Sequence, residues 1–239
     1  GGSGNGRCGR TALLTLLAVV VVGGAIVGVV VATRDGGGDS GPPPWAAAAE
    51  RVCRVMCNGS VLATVQRARL YNDSKTFVDQ PLLSDPEDVL AAFAALPASP
   101  SREEVRAFVA ANFGEAGSDL LPWTPPDWVE APPVLARVEN ASVREWASAV
   151  NALWKELGRQ VAPEVVAHPQ RHTLIALRHP VVVPGGRFRE TYYWDTYWIV
   201  RGLLTCGMVD TARGLVQNLL DEVDAFGFVP NGGRAYYVA

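Results

Sequence analysis

From Asp195 to Gly227 the sequence reads DTYWIVRGLLTCGMVDTARGLVQNLLDEVDAFG. The spacing predicts one helix from about Asp195 to Leu204 and a turn at TCGMVD. A second helix then carries Val209, Ala212, Leu215, Val216, Leu219, Leu220 and Val223 on one face and ends at Gly227. Two helices joined by so short a turn must lie antiparallel, which points to a bundle or a toroid of helical hairpins.

Upstream the same helical signals recur. Asp85 and Pro86 open a run with Glu87 and Asp88 in its first turn, continuing through Val89, Leu90, Phe93 and Leu96. Ser101 and Glu104 form a capping box ahead of Val105, Phe108 and Val109. Val143, Trp146, Val150, Leu153, Trp154 and Leu157 follow at helical spacing, with Gly158 closing the run, and their tryptophans read as core. No alternating strand stands out, and the fold class expected is all-α. PGG at Pro184–Gly186 lacks the lysine of a phosphate loop.

Two polar loops flank the hairpin. PGGRFRETYYWDTYW (Pro184–Trp198) precedes and overlaps its first helix, and GFVPNGGRAYY (Gly227–Tyr237) follows its second. Both combine Gly-Gly, Arg and paired Tyr. Gly lets backbone approach a ligand closely. Arg forks, carboxylates and aromatic plates together suit a polyhydroxylated ligand, whose hydroxyls need convergent donors and acceptors. The bland reading is a buried Arg–carboxylate tie between loop and helix. In a toroid, loops at one end of successive hairpins face one mouth, so both loops are expected at one pocket.

The N-terminal part is different. TALLTLLAVVVVGGAIVGVVVAT (Thr11–Thr33) has no charged residue, with Arg7 and Arg10 before it and Arg34 and Asp35 after it. A bilayer-crossing helix needs about 20 apolar residues, and the positive side is N-terminal. The expectation is a single-pass signal-anchor with the remainder extracellular or lumenal. The alternative is secretion after cleavage of a signal peptide behind Ala32. RDGGGDSGPPPW (Arg34–Trp45) reads as a tether. The expected organisation is a tail and transmembrane helix over 1–34, a linker over 35–45 and a domain over 46–239. The chain begins at Gly1 and stops in mid-pattern at Ala239, so it is expected to be part of a longer one.

Asn58, Asn72 and Asn140 each open an Asn-X-Ser sequon, and Asn58 and Asn140 are the candidate glycosylation sites. Of the four cysteines, Cys53 and Cys57 are four apart, suited to a local disulfide or to two buried thiols; no His or Cys follows at a zinc-like distance, and no metal is expected. A net charge of -3 argues against nucleic acid as a partner.

PGGRFRETYYWDTYW resembles the first signature of the trehalases, glycoside hydrolase family 37, and VPNGGRAYY resembles the loop after it. TVQRARLYNDSKTFVDQPL (Thr64–Leu82) resembles an N-terminal trehalase segment, and HPVVVPGG its lead into the signature. The resemblance runs from about Cys53 to Ala239 and is loose between Pro97 and Val166. It implies an (α/α)6 toroid, incomplete in this chain, that hydrolyses α,α-trehalose to two glucoses with inversion and without a cofactor. It implies substrate-binding roles for Arg187, Phe188, Trp194, Asp195 and Asn231. Glu190 and Asp195 are not implied as the proton-transfer pair, because the family's acid follows a Ser-Gly-Trp stretch and its base is a late Glu, neither present here. Asp73, Lys75 and Asp79 read as scaffold. The cysteine spacing departs from that of animal trehalases. A non-catalytic sugar-binding module and another inverting (α/α)6 glycosidase are the alternatives.

Overall fold

The structure, a computed structural model, describes the backbone of residues 19–22, 25–28 and 44–238, with side chains from 47 to 238. The chain divides into a unit of residues 1–41 and a unit of residues 42–239.

Most of the expected membrane helix lies outside the described residues. Where the run is described it is not helical: β1 (Val19–Val22) and β2 (Ala25–Gly28) pair antiparallel, with Val19 opposite Gly28. β-Branched Val and Ile, stiff at χ1, favour the extended backbone. Among the described residues no helix is long and apolar enough to cross a membrane.

The second unit is mostly helical. It begins with α1 (Pro44–Met56), α2 (Ser60–Ala68), the single turn α3 (Lys75–Val78), α4 (Pro86–Ala94) and α5 (Arg102–Asn112). Their apolar faces enclose one core. Val52, Val55, Met56, Val61, Val65, Phe77 and Val89 are fully or almost fully buried there. Phe113 takes both Phe77 and Phe108 edge-on, at 5.0 and 5.8 Å between ring centres, a preferred aromatic geometry. The capping box at the start of α5 is formed. The Ser101 hydroxyl accepts from the Glu104 amide at 3.2 Å, and the Glu104 carboxylate accepts from the Ser101 amide at 2.7 Å. Asp85 starts α4 but does not cap it, because its carboxylate instead accepts from Arg171, Gln170 and Arg51. Cys53 and Cys57 are joined by a disulfide across the last turn of α1.

Between α5 and the final hairpin lies a small sheet that the sequence pattern did not predict. β3 (Leu120–Pro122), β4 (Gly158–Val161) and β5 (Val181–Val182) pair antiparallel with β4 in the centre. Strands this short are below the length at which alternation can be read. α6 (Ala141–Leu157) runs directly into β4, and α7 (Pro163–Ala167) leaves it. Gly158 does end α6, but with extended rather than left-handed backbone. A Cβ there would stand 2.1 Å from the carbonyl oxygen of Trp123, so the close approach of the residue that follows β3 is what requires glycine.

The final hairpin is α8 (Tyr193–Thr205) and α9 (Val209–Phe226), within two residues of expectation, and Gly227 ends α9 in the left-handed conformation at φ 80°. Leu203, Met208, Ala212 and Leu215 bury their side chains against Val182 of β5. The α9 N-terminus is capped from afar. The Asp127 carboxylate accepts from the amides of Asp210 and Thr211, both at 2.9 Å, and from the Thr211 hydroxyl, which satisfies donors that a helix start leaves open. The expectation that the tryptophans of α6 are core is corrected in part. Trp154 is half-buried against the hairpin, but Trp146 is 67% exposed, and Val143, Val150 and Leu153 are exposed with it. Among the described residues, nothing covers that face.

Candidate functional site

The first polar loop is a tight reversal. Gly185 and Gly186 have φ of 97° and 62°, the left-handed region that only glycine adopts freely. The Phe188 amide donates to the Gly185 carbonyl at 3.1 Å, and the Gly185 amide to the Phe188 carbonyl at 3.3 Å. Gly186 and Arg187 therefore sit at the tip of the turn, and Phe188 closes it. The chain then runs inward, burying Glu190, Thr191 and Tyr192 before α8 begins.

The second polar loop lies directly on the first. The Gly233 amide donates to the Thr191 carbonyl at 3.0 Å, and the Tyr193 amide to the Asn231 carbonyl at 3.1 Å. A Cβ on Gly232 would come within 2.5 Å of the Tyr237 ring, and one on Gly233 within 2.5 Å of the Thr191 hydroxyl. Gly233 is thus what permits the two loops to meet, while Gly232 lets the second loop fold back on its own Tyr237. Together they line an open cavity of about 570 Å³. Arg187, Phe188 and Tyr192 come from the first loop, Tyr236 and Tyr237 from the second, and Lys75 from α3.

Beneath this cavity is a buried ionic cluster. The Lys75 ammonium donates to both oxygens of Asp79 at 2.7 and 2.8 Å and to Glu190 at 2.9 Å. Arg234 grips Asp119 with both terminal nitrogens at 2.8 and 3.2 Å, and its Nε lies 3.4 Å from Glu190 and 3.3 Å from Asp79. Arg189 reaches Asp79 at 3.0 Å. Lys75, Arg189 and Arg234 thus face Asp79, Asp119 and Glu190, three charges of each sign. Burial of a charge is tolerable only when it is paired and hydrogen-bonded, and this cluster meets both conditions. Its edge reaches the cavity through two phenols. Tyr192 donates to Glu190 at 2.6 Å and Tyr236 to Asp79 at 3.0 Å. Burial, reinforced by the neighbouring carboxylates, pushes both phenols well above their ordinary range, so they stay protonated donors.

The predicted site residues occupy two neighbouring places. Arg187 holds the Asp73 carboxylate with Nε and Nη2 at 2.6 and 2.7 Å, and Phe188 stands edge-on to Tyr192 at 5.3 Å. Trp194 and Asp195 are in the first turn of α8, outside the lining of that cavity, and Asn231 adjoins them through its carbonyl bond to Tyr193. Trp194 is 69% exposed and meets Trp198 edge-on. Asp195 is half-buried and makes no ion pair among the described residues. Asp73, Lys75 and Asp79 do form scaffold contacts, but Lys75 also lines the cavity. Sequence reading missed Asp119 and Arg234, which are 115 residues apart. For Arg234 the signal was its place in the second polar loop, beside Gly-Gly and the paired Tyr; nothing comparable marked Asp119. Asn58 and Asn140 are exposed, and Asn140 also caps α6 by accepting from the Val143 amide at 3.1 Å. Among the described residues no three His, Cys, Asp or Glu side chains stand together as a metal site.

Two loops of Arg, Gly-Gly and Tyr, folded over a neutralised ionic floor, define a helical protein with a cavity suited to hydroxyl-rich ligands. The family model that matches is described as trehalase and covers residues 69–239, and the chain belongs to that family. It is 48% identical to human trehalase over 188 residues, 77% of this chain and 32% of the human protein. It is 54% identical to a probable trehalase of rice over 168 residues, 69% of this chain and 30% of the rice protein. Rabbit trehalase is 47% identical over 189 residues, 77% of this chain and 33% of the rabbit protein. The chain thus spans about a third of the length of the curated relatives it matches.

Proposed function

We propose that the protein carrying this chain is a glycosidase that hydrolyses α,α-trehalose to two glucoses with inversion. The observation that carries this reading is the match of residues 69–239 to the trehalase family. Its geometric support is the junction of the two polar loops at one cavity. In this reading Arg187, Phe188, Trp194, Asp195 and Asn231 form part of the sugar-binding wall, and none of them transfers the proton. An inverting glycosidase needs an acid and a base with a water between them; the reading places that pair outside residues 46–239. Residues 46–239 are then part of an (α/α)6 toroid, and the exposed apolar faces of α6 and α8 are where the rest of the ring packs.

Inversion has a direct readout. Attack by water at one anomeric carbon releases β-glucose, and the leaving half departs as α-glucose. Proton NMR during early turnover should therefore show the two anomers in equal amounts; α-glucose alone would exclude inversion. Arg187→Ala and Asp195→Ala should each reduce turnover sharply at unchanged melting temperature, and wild-type kinetics in either would remove that residue from the wall.

The same reading places the domain outside the cytosol. The uncharged run at Thr11–Thr33 acts as an export segment, retained as an anchor or cleaved. The Cys53–Cys57 disulfide supports this, because such bonds persist in oxidising compartments. So do the exposed side chains of Asn58 and Asn140. Glycosidase treatment of the native protein should increase its gel mobility at both sequons; no shift would count against export.

A further inference from the structure

We propose that Asp73 is a positioning residue for substrate, acting through Arg187, an inference that rests on the trehalose-hydrolysing reading of the cavity. Arg187 stands at the tip of the Gly185–Phe188 turn with its side chain half-exposed. A long side chain there would sample many rotamers and present its guanidinium in no fixed place. Asp73 removes that freedom. Its two carboxylate oxygens accept from Nε and Nη2 in the planar fork geometry that suits arginine and carboxylate. A guanidinium carries five N–H donors. The fork to Asp73 engages two of them and leaves the donors on the outer side for hydroxyls in the cavity that Arg187 lines.

Asp73 is itself held. Its Oδ1 also accepts from the Lys75 amide at 3.0 Å, where the chain enters α3. The Lys75 ammonium is locked between Asp79 and Glu190 in the buried cluster. The Arg187 guanidinium is thus referenced to the rigid floor of the site rather than to its own loop. The Arg187 hydrogen bonds, with help from the Lys75 amide, hold the Asp73 carboxyl down to about 2, so the clamp stays ionised through the acid range.

A merely structural ion pair would behave differently. Both partners are partly open to solvent, with side chains 51% and 33% exposed. Exposed pairs contribute little to stability. The effect of losing Asp73 therefore falls on ligand orientation and leaves the fold in place. Misplacing a binding group by about an ångström costs up to roughly a hundredfold in rate.

The test is a double-mutant cycle in the full-length enzyme, with Asp73→Ala, Arg187→Ala and the double variant assayed on trehalose. Asp73→Ala is expected to lower kcat/KM by about ten- to a hundredfold with the melting temperature unchanged. The double variant should lose no more than Arg187→Ala alone, because both changes remove one function. Asp73→Asn, which keeps size and loses charge, should fall between wild type and Asp73→Ala. Wild-type kcat/KM in Asp73→Ala, or independent multiplying losses in the double variant, would overturn the positioning role while leaving the enzyme's activity standing. A parallel fall in melting temperature and activity would mark Asp73 as structural and also overturn it. An unmutated enzyme inert toward trehalose would sink the functional reading, and this inference with it.

Discussion

Helices α5 and α6 carry the same apolar periodicity, and they come to opposite ends. On α5, Val105, Phe108 and Val109 are buried beneath α2 and α4, whereas on α6, Val143, Trp146, Val150 and Leu153 are exposed. Sequence spacing specifies that a helix has a face in need of cover. It does not specify where the cover comes from. α5 finds its cover close by in the chain, in α2 and α4 before it and Phe113 just after it, while on α6 only the half-buried Trp154 and Leu157 turn towards the hairpin.

That contrast can be broken or sharpened by substitution. The largest expected effect is at Phe108. Phe108→Ala empties a packed aromatic site between Phe93 and Phe113 and should cost about 4 kcal/mol in urea unfolding. A cost below about 1 kcal/mol would mean that the α5 face is less well packed than its burial implies.

Next is the ionic floor, where burial is satisfied by charge. Glu190→Gln leaves Lys75 and Arg234 short of one anion and should cost about 3 kcal/mol. The same urea midpoint reads it, and a change within about 0.5 kcal/mol would show that Asp79 and Asp119 suffice.

Glu222 gives the opposite case, a buried acid without an ion-pair partner among the described residues. Burial lifts its carboxyl from 4.5 to about 7. The native state therefore holds a proton that the unfolded chain releases. Stability should fall as pH rises from about 4.5 to about 7, by on the order of 2–3 kcal/mol. Glu222→Gln should flatten that slope in a pH series of unfolding midpoints; an unchanged slope would assign it to another group.

The smallest effect closes the comparison. Trp146→Ala should leave the stability of this chain within about 0.5 kcal/mol of wild type, because the ring is already in water. A loss comparable to that at Phe108 would show that the α6 face is covered in solution.

Much of this architecture was legible because its signals are local. The capping box at Ser101, the turn between α8 and α9, and the left-handed stop at Gly227 are each settled within a few residues. The two polar loops were legible as related by composition, and Gly233, which lets them touch, was visible in the second. What was not legible is non-local. Nothing near Asp119 announces that Arg234 will bury beside it, and strands of two to four residues carry no readable alternation. Gly158 shows the limit within one residue. Its position marked the helix end correctly, but its reason is a carbonyl from Trp123, thirty-odd positions earlier.

The ionic floor also sets a timetable for synthesis. Lys75 and Glu190 are 115 residues apart, and Tyr236 and Asp79 are 157 apart. A ribosome adding about 5–20 residues per second needs roughly 6–23 s to deliver Glu190 after Lys75. Over that interval the nascent chain carries Lys75 and Asp79 with only each other for company, while the α1–α5 core can already close around Phe77. The cavity walls are therefore the last part of this unit to be assembled. A pause or premature release between codons 113 and 190 would yield a chain with its α1–α5 core and no binding floor.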